Sequence, residues 1–475
     1  MIETGNISLT VELKELITSE QAWHYRIIPK DASDEQITFF AEEGSADARE
    51  ELELLFGKPV VLERIGSEGI RQALGKYYRT TGEAKKQSQT FTRKSDDFLQ
   101  SLISEAKTLG SSDIHIEAYE EKCRVRMRID GLLIERYTIS ADEYPKMVNK
   151  IKIAANLDIA EKRLPQDGRI FFNREGMKFD IRVSVLPTLH GEKVVLRLLS
   201  NDAANIDIAQ LGFTEKELEF YLEGIKKPNG ILLISGPTGS GKTTTLYATL
   251  KVLNKEKTNI LTIEDPIEYT LAGINQVQLK ESIGLGFASA LRTFLRQDPD
   301  IIMLGEIRDG ETAQMAIRAA LTGHLVLSTV HTNSAWGIVS RLADMGVPPF
   351  LIASTLNTAV AQRLLRKLCP HCKVEMPLEK RSLPRNYKVP HELNVHYTAT
   401  GCEHCHYTGY KGRKAIYEII PIDAEIAHEI KNNRMSAEEL LRQRGIRTLA
   451  ENAFELFEKG ETSLDEVYPI LLNSF

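Results

Sequence analysis

"GPTGSGKTTTLYATL", residues 236–250, decides the fold. Gly236, Gly241, Lys242 and Thr243 satisfy G-x-x-x-x-G-K-[ST], with the apolar run "GILLIS" before the loop and a helix-forming run after it. In such a loop the glycines let backbone N–H groups approach phosphates at a helix N-terminus. Lys242 reaches the β- and γ-phosphates of ATP, and Thr243 offers its hydroxyl to Mg²⁺. The expected nucleotide contacts run through Gly236, Pro237, Thr238, Gly239, Ser240, Gly241, Lys242, Thr243 and Thr244. Strand, loop and helix go on alternating to about residue 365, the pattern of an α/β fold with a parallel sheet and crossover helices.

Downstream stretches supply what a P-loop needs. "DPDIIMLGEIRD" is an apolar strand ending in Glu306, a carboxylate suited to orient or deprotonate the attacking water. "NILTIEDPIEY" runs into Glu264, Asp265 and Glu268, at the strand end where α/β proteins bind ligands. These acids are expected to hold Mg²⁺ or its waters; the alternative is that Asp265, before Pro266, caps a helix. "TGHLVLSTVHTNSA" is a strand flanked by His324 and His331. His331 follows the strand and is preferred as the residue that senses the γ-phosphate by hydrogen bonding.

Four of the five cysteines form two C-x-x-C pairs, Cys369/Cys372 and Cys402/Cys405. Four thiolates without an acid or nucleophile beside them make a closed structural Zn²⁺ site, not a catalytic one. His371, His404 and His406 stand close enough to substitute as ligands, and a pair of redox dithiols is the other reading. Cys123 lies on the apolar side of "CRVRMRI" and is expected to be inert. Arg124, Arg126 and Arg128 alternate with it and read as a solvated sheet face.

A chain of 475 residues is too long for one core. Residues 1–78 read as a small α+β module and 79–97, polar and without apolar periodicity, as a linker. Residues 98–203 form a second α+β domain opened by a helix from Phe98. Residues 204–475 form the nucleotide domain, with the cysteine lobe at about 366–412 and helices at the end. The net charge of −6 gives no overall attraction to polyanions, so no nucleic acid is expected as a partner. The N-terminus lacks a basic region followed by an apolar stretch, and no run approaches the ~18 apolar residues that a spanning helix needs. The expected location is the cytoplasm, with any membrane attachment through a partner.

From residue 98 onward the chain resembles the type II secretion and type IV pilus assembly ATPases, the GspE/PilB family. The resemblance rests on "SSDIHIE" (111–117), "RLPQDGR" (163–169), "DIRVSVLPTLHGE" (180–192), the P-loop, "LTIEDPIEY", "DPDIIMLGEIRD", "TGHLVLSTVHTNSA" and "GYKGRKAIYEI" (409–419). It implies a RecA-like P-loop NTPase domain preceded by an α+β, PAS-like N2 domain, with nucleotide held where the two rotate against each other. It also implies a homohexamer that works on an inner-membrane platform protein and another component at the cytoplasmic face. Arg182 and Arg197 of the N2 domain, with Arg292 and Arg296, would then neutralise phosphate charge. The cysteine lobe and long N-terminal part point to extension or secretion, not retraction. The machine driven is a pilus, a secretion pseudopilus or a DNA-uptake pseudopilus. The rivals are a RecA-like nucleic-acid translocase and a binding scaffold with a spent ATPase.

Overall fold

The computed structural model describes residues 16–33, 35–42, 48–66, 98–120, 122–174, 176–199, 206–379, 382–385, 387–432 and 437–472, with positions 9, 13, 69–70, 73–74, 77–78 and 89–90. The linker expected at 79–97 lies outside these residues except for Gln89–Thr90. By internal packing the chain divides into two units. The first comprises Met1–Leu198, Leu368–Val374 and Thr398–Lys411; the second comprises Leu199–Lys367, Glu375–Tyr397 and Gly412–Phe475. The cysteine-bearing segments therefore group with the first unit, although they follow the P-loop in chain order.

The first unit begins with a sheet of three strands, β1 (Ile27–Ala32), β2 (Ile37–Glu42) and β3 (Val60–Ile65). The first pair is antiparallel, and the second is parallel through helix Ala48–Phe56. Alternation in "ITFFA" turns Ile37, Phe39 and Ala41 inward, where they meet Ile27, Ile28 and Leu52. A larger sheet has the order β4 (Gln89–Thr90), β7 (Leu132–Ile139), β6 (Cys123–Ile129), β5 (Ser111–Ala118), β10 (Gly191–Leu199), β9 (Met177–Thr188) and β8 (Gln166–Arg174). Asp130 and Gly131, with φ of 47° and 88°, make the tight turn between β6 and β7. Helices Phe98–Thr108 and Tyr144–Ala154 contribute Leu102, Ile103, Val148 and Ile151 to the same core as Ile114, Ile116, Val125 and Met127.

The arginine row of β6 does not face solvent as a free charged surface. Register with β5 sets Arg128 opposite Asp113, Arg126 opposite His115 and Arg124 opposite Glu117. Glu117 receives Arg124 Nε at 3.1 Å, Arg126 Nε at 2.8 Å and Lys193 Nζ at 3.1 Å, with only 3% of its side chain exposed. Asp113 receives Arg197 Nε at 2.8 Å and Arg128 Nε at 3.7 Å. The row is thus half of a partly buried ion-pair network whose acids come from "SSDIHIE".

Burial pushes the Glu117 pKa up, but hydrogen bonds from Arg126 and Lys193 outweigh it and hold the carboxyl at about 2. Because this lies below its ordinary value of 4.5, the stabilisation is complete above that pH and is lost as pH falls from there toward 2. Thermal unfolding followed from about pH 6 to about pH 3 should therefore fall more steeply in the wild type than in Glu117→Gln. Parallel curves would remove the ion pairs from the account.

In the second unit the sheet order is β13 (Asn275–Gln278), β12 (Ile260–Glu264), β14 (Ile301–Leu304), β15 (Leu325–Val330), β11 (Gly230–Ser235), β16 (Leu356–Leu368) and β19 (Tyr410–Pro421). From β13 to β16 every pairing is parallel. The central strands read as continuous apolar runs because both faces are covered. Ile231 and Leu233 of β11, Ile302 and Leu304 of β14 and Val326 of β15 enter one core. Leu232, Ile234, Ile301, Met303, Leu325 and Leu327 enter the other. Helices Leu449–Glu458 and Leu464–Leu472 add Phe454, Phe457, Val467 and Leu471 to the first of these cores. Strands β17 (Lys373–Pro377) and β18 (Val395–Ala399) form a two-stranded ribbon.

Candidate nucleotide site and cysteine centre

The P-loop leaves the end of β11 and opens helix Lys242–Leu253. Gly236 has φ of 151°, and a Cβ there would lie 2.5 Å from Gln362 O and 2.6 Å from Ser240 Oγ, so only glycine fits. Gly241, with φ of 89°, occupies the helix N-cap. Lys242 is buried, and its Nζ donates to Gly236 O at 2.7 Å and Pro237 O at 3.0 Å. Burial lowers the Lys242 pKa; Glu306 opposes that shift and Arg363 adds to it, so both charges lie within electrostatic reach. Pro237, Thr238, Gly239 and Thr243 are exposed, as groups that meet a ligand need to be.

Glu306 stands just past β14 and accepts from Arg308. His331, just past β15, brings its Nε2 to 3.4 Å from the other Glu306 oxygen. Burial pushes the Glu306 pKa up, but Arg308 and His331 overcome this and leave it below the usual carboxylate value, so the group is a carboxylate at neutral pH. His324 lies at the opposite end of β15, where Nδ1 is 2.8 Å from Ala319 O, and it ties the end of helix Gly310–Leu321.

Glu264, the last residue of β12, is buried. It accepts from Tyr247, from Thr262 Oγ1 at 2.6 Å and from Gln276 Nε2 at 3.1 Å. Burial and the charge of Glu264 push the Tyr247 pKa up, so that hydroxyl keeps its proton and donates. Glu264 therefore braces the helix that the P-loop opens. Asp265 is exposed, and no helix begins at Asp265–Pro266, so the capping alternative is not taken up. Arg292 pairs with Glu311 at 2.8 Å, and Arg296 Nη1 donates to Arg292 O at 2.9 Å. In the first unit, Arg182 of β9 is half-buried opposite Arg169 of β8, and Arg197 of β10 is held by Asp113.

Three contributors escaped the sequence reading. Arg308 follows Glu306 in the same motif and was open to notice. Gln362 and Arg363 sit in "AQRLLRKL" on β16. Gln362 Nε2 donates to Ser240 O at 2.9 Å while Oε1 accepts from Thr245 Oγ1 at 2.9 Å, so it clasps the P-loop from the neighbouring strand.

The four thiols of Cys369, Cys372, Cys402 and Cys405 lie within 4.8 Å of one another, and the Cys369–Cys402, Cys372–Cys405 and Cys402–Cys405 distances are each 3.8 Å. A regular tetrahedron with metal–sulfur bonds of about 2.3 Å has edges of about 3.8 Å, so the donor set fits Zn²⁺. Bonded sulfurs would be about 2.05 Å apart, so these are not disulfides. Backbone N–H groups of Cys402 and Gly409 donate to Cys405 Sγ at 3.2 and 3.3 Å, bonds that stabilise a thiolate. Among the described residues the cluster contains cysteines only; His371 and His404 stack on each other at 4.1 Å instead.

A largely parallel sheet with a P-loop after an interior strand, and a histidine and a carboxylate after the next two strands, defines a RecA-like P-loop ATPase. The chain belongs to the family described as "Type II/IV secretion system protein", whose model matches residues 89–469. It is 41% identical to the type IV pilus assembly ATPase PilB of Myxococcus xanthus, covering 98% of this chain and 88% of that one. It is 46% identical to the type II secretion system ATPase E of Vibrio cholerae, covering 79% and 75% of the two chains. The Legionella pneumophila ATPase DotB shares the fold, with a TM-score of 0.61 at 21% identity over 82% of this chain and 99% of that one. Among the described residues no helix is long and apolar enough to cross a membrane.

Proposed function

We propose that the protein is a cytoplasmic homohexameric motor. It hydrolyses ATP to drive assembly of a type IV pilus or a type II secretion pseudopilus, through an inner-membrane platform protein. The observation that carries this reading is the meeting of Glu306 and His331 within charge range of Lys242, in a chain whose relatives are named as pilus-assembly and secretion ATPases. In this reading Lys242 binds the β- and γ-phosphates and Glu306 orients and deprotonates the attacking water. His331 shares that charge and senses the γ-phosphate. The Thr243 hydroxyl would hold Mg²⁺, which neutralises the phosphates when bound. Glu264 acts through the P-loop helix, and Arg182, Arg197, Arg292 and Arg296 supply further positive charge to the phosphates. The four cysteines hold Zn²⁺ as a structural centre.

Stimulation of the ATPase rate separates this motor from a nucleic-acid translocase. The cytoplasmic domain of a platform protein should raise turnover several-fold, and single- or double-stranded DNA should leave it unchanged. Stimulation by DNA alone would favour the translocase.

A further inference from the structure

The stretch "GYKGRKAIYEI" carries Glu418 next to its end, a carboxyl with no part in the site described so far. Glu418 lies on β19 and is 7% exposed. One oxygen accepts from the Ala335 backbone N–H at 2.8 Å and the other from the Leu449 N–H at 3.1 Å. Ala335 closes the loop that begins at His331, and Leu449 opens helix Leu449–Glu458. Burial pushes the Glu418 pKa up, against the pull of the Ala335 and Leu449 N–H groups and of Arg363, which lies within electrostatic reach and whose own pKa burial lowers. Arg363 Nη2 donates to Asn333 O of the same loop at 2.9 Å and its Nη1 to Gln362 O at 3.0 Å. That Nη1 would also lie 3.2 Å from a Cβ placed on Gly236.

These contacts form one connected chain: P-loop, Gln362 and Arg363, the His331 loop, Glu418, and helix Leu449–Glu458. The His331 loop is held from both sides through its own backbone, at Asn333 O by the Arg363 side chain and at Ala335 N–H by that of Glu418. A carboxyl is buried here where an apolar side chain would fill the space, and one of its oxygens accepts from the loop that carries His331 while the other holds the start of helix Leu449–Glu458.

We propose that Glu418 is a positioning residue for ATP hydrolysis. With Arg363 it fixes the His331 loop against the P-loop, so that His331 and Glu306 stand ready for the γ-phosphate. The proposal rests on the hydrolytic reading of Glu306 and His331.

Glu418→Gln keeps the shape but puts an N–H₂ group where one of the two backbone N–H groups needs an acceptor, and it removes the acid within electrostatic reach of Arg363. Steady-state kinetics of the full chain should show kcat lowered about tenfold or more, with KM for ATP and affinity for ADP within about twofold of wild type, because ADP has no γ-phosphate to position. Arg363→Met should behave alike. The double variant should fall no further than either single one, since both act through one loop. Wild-type kcat in Glu418→Gln overturns the proposal. So does a parallel loss of kcat and ADP affinity, the sign of a merely structural role, and so do losses that multiply in the double variant. Should Glu418→Gln fail to fold, half-buried Arg363 carries the test, and wild-type kcat in Arg363→Met then overturns it. Glu306→Gln in the same assay keeps the two readings apart. If it retains turnover, the hydrolytic site is misassigned; if it loses turnover while Glu418→Gln does not, the positioning role alone fails.

Discussion

Lys242→Ala is expected to leave a folded protein that no longer turns over ATP, a loss of about 100-fold or more in phosphate release. Lys242 Nζ is buried within the loop on the carbonyls of Gly236 and Pro237, and its side chain sits in charge range of Glu306. Alanine removes the charge that meets the β- and γ-phosphates, so nucleotide affinity falls together with the rate. Glu306→Gln is different in kind. It keeps the size of the side chain and removes the charge held by Arg308 and His331, so ATP should still bind while hydrolysis drops by about 10²- to 10⁴-fold. Unchanged turnover in either variant would sink the assignment.

Cys369→Ser should lower bound zinc from about one per chain to near zero and unfold the segments around residues 368–374 and 398–411 locally. Structural Zn²⁺ sites contribute about 10–16 kcal/mol of apparent binding energy at neutral pH, far more than a small loop-rich segment gains from its own packing. Cys405 receives two backbone N–H groups and lies 3.8 Å from both Cys372 and Cys402, so the loss of one corner removes the centre that ties the two segments together. Elemental analysis, with limited proteolysis of the same samples, reads both effects. Cys123→Ser is the control: Cys123 is buried on β6 and lies outside the thiol cluster. Equal metal in wild type and Cys369→Ser would rule the site out.

Legibility in the sequence followed how local each feature is. The P-loop was readable because its chemistry resides in consecutive residues, with glycines where the backbone takes positive φ and an apolar strand before them. The strand-ending acids and the histidine were readable for the same reason, since each closes a run of apolar residues. The two C-x-x-C pairs pointed to a metal site through spacing alone, and the structure brings their four thiols within 4.8 Å of one another. Gln362, Arg363 and Glu418 were not readable in this way. Each meets its partners through sheet pairings or helix ends tens to more than a hundred positions away, and nothing in "AQRLLRKL" or "KAIYEI" marks the residue that turns toward the loop. The arginines of β6 were misjudged for a related reason. Alternation showed which side of the strand they occupy, but the acidic register partner on β5 is a property of pairing and not of the strand itself. Glu264 shows the limit from the other side. Its position at a strand end is legible, but the three hydrogen-bond donors that the structure gives it are not.

The central claim is that Glu306 splits the ATP that the P-loop holds. It is tested most directly by measuring bound nucleotide and released phosphate on one sample of purified Glu306→Gln. The account predicts near-complete occupancy by intact ATP with phosphate release about 100-fold or more below wild type. Wild-type phosphate release at the same occupancy would contradict it.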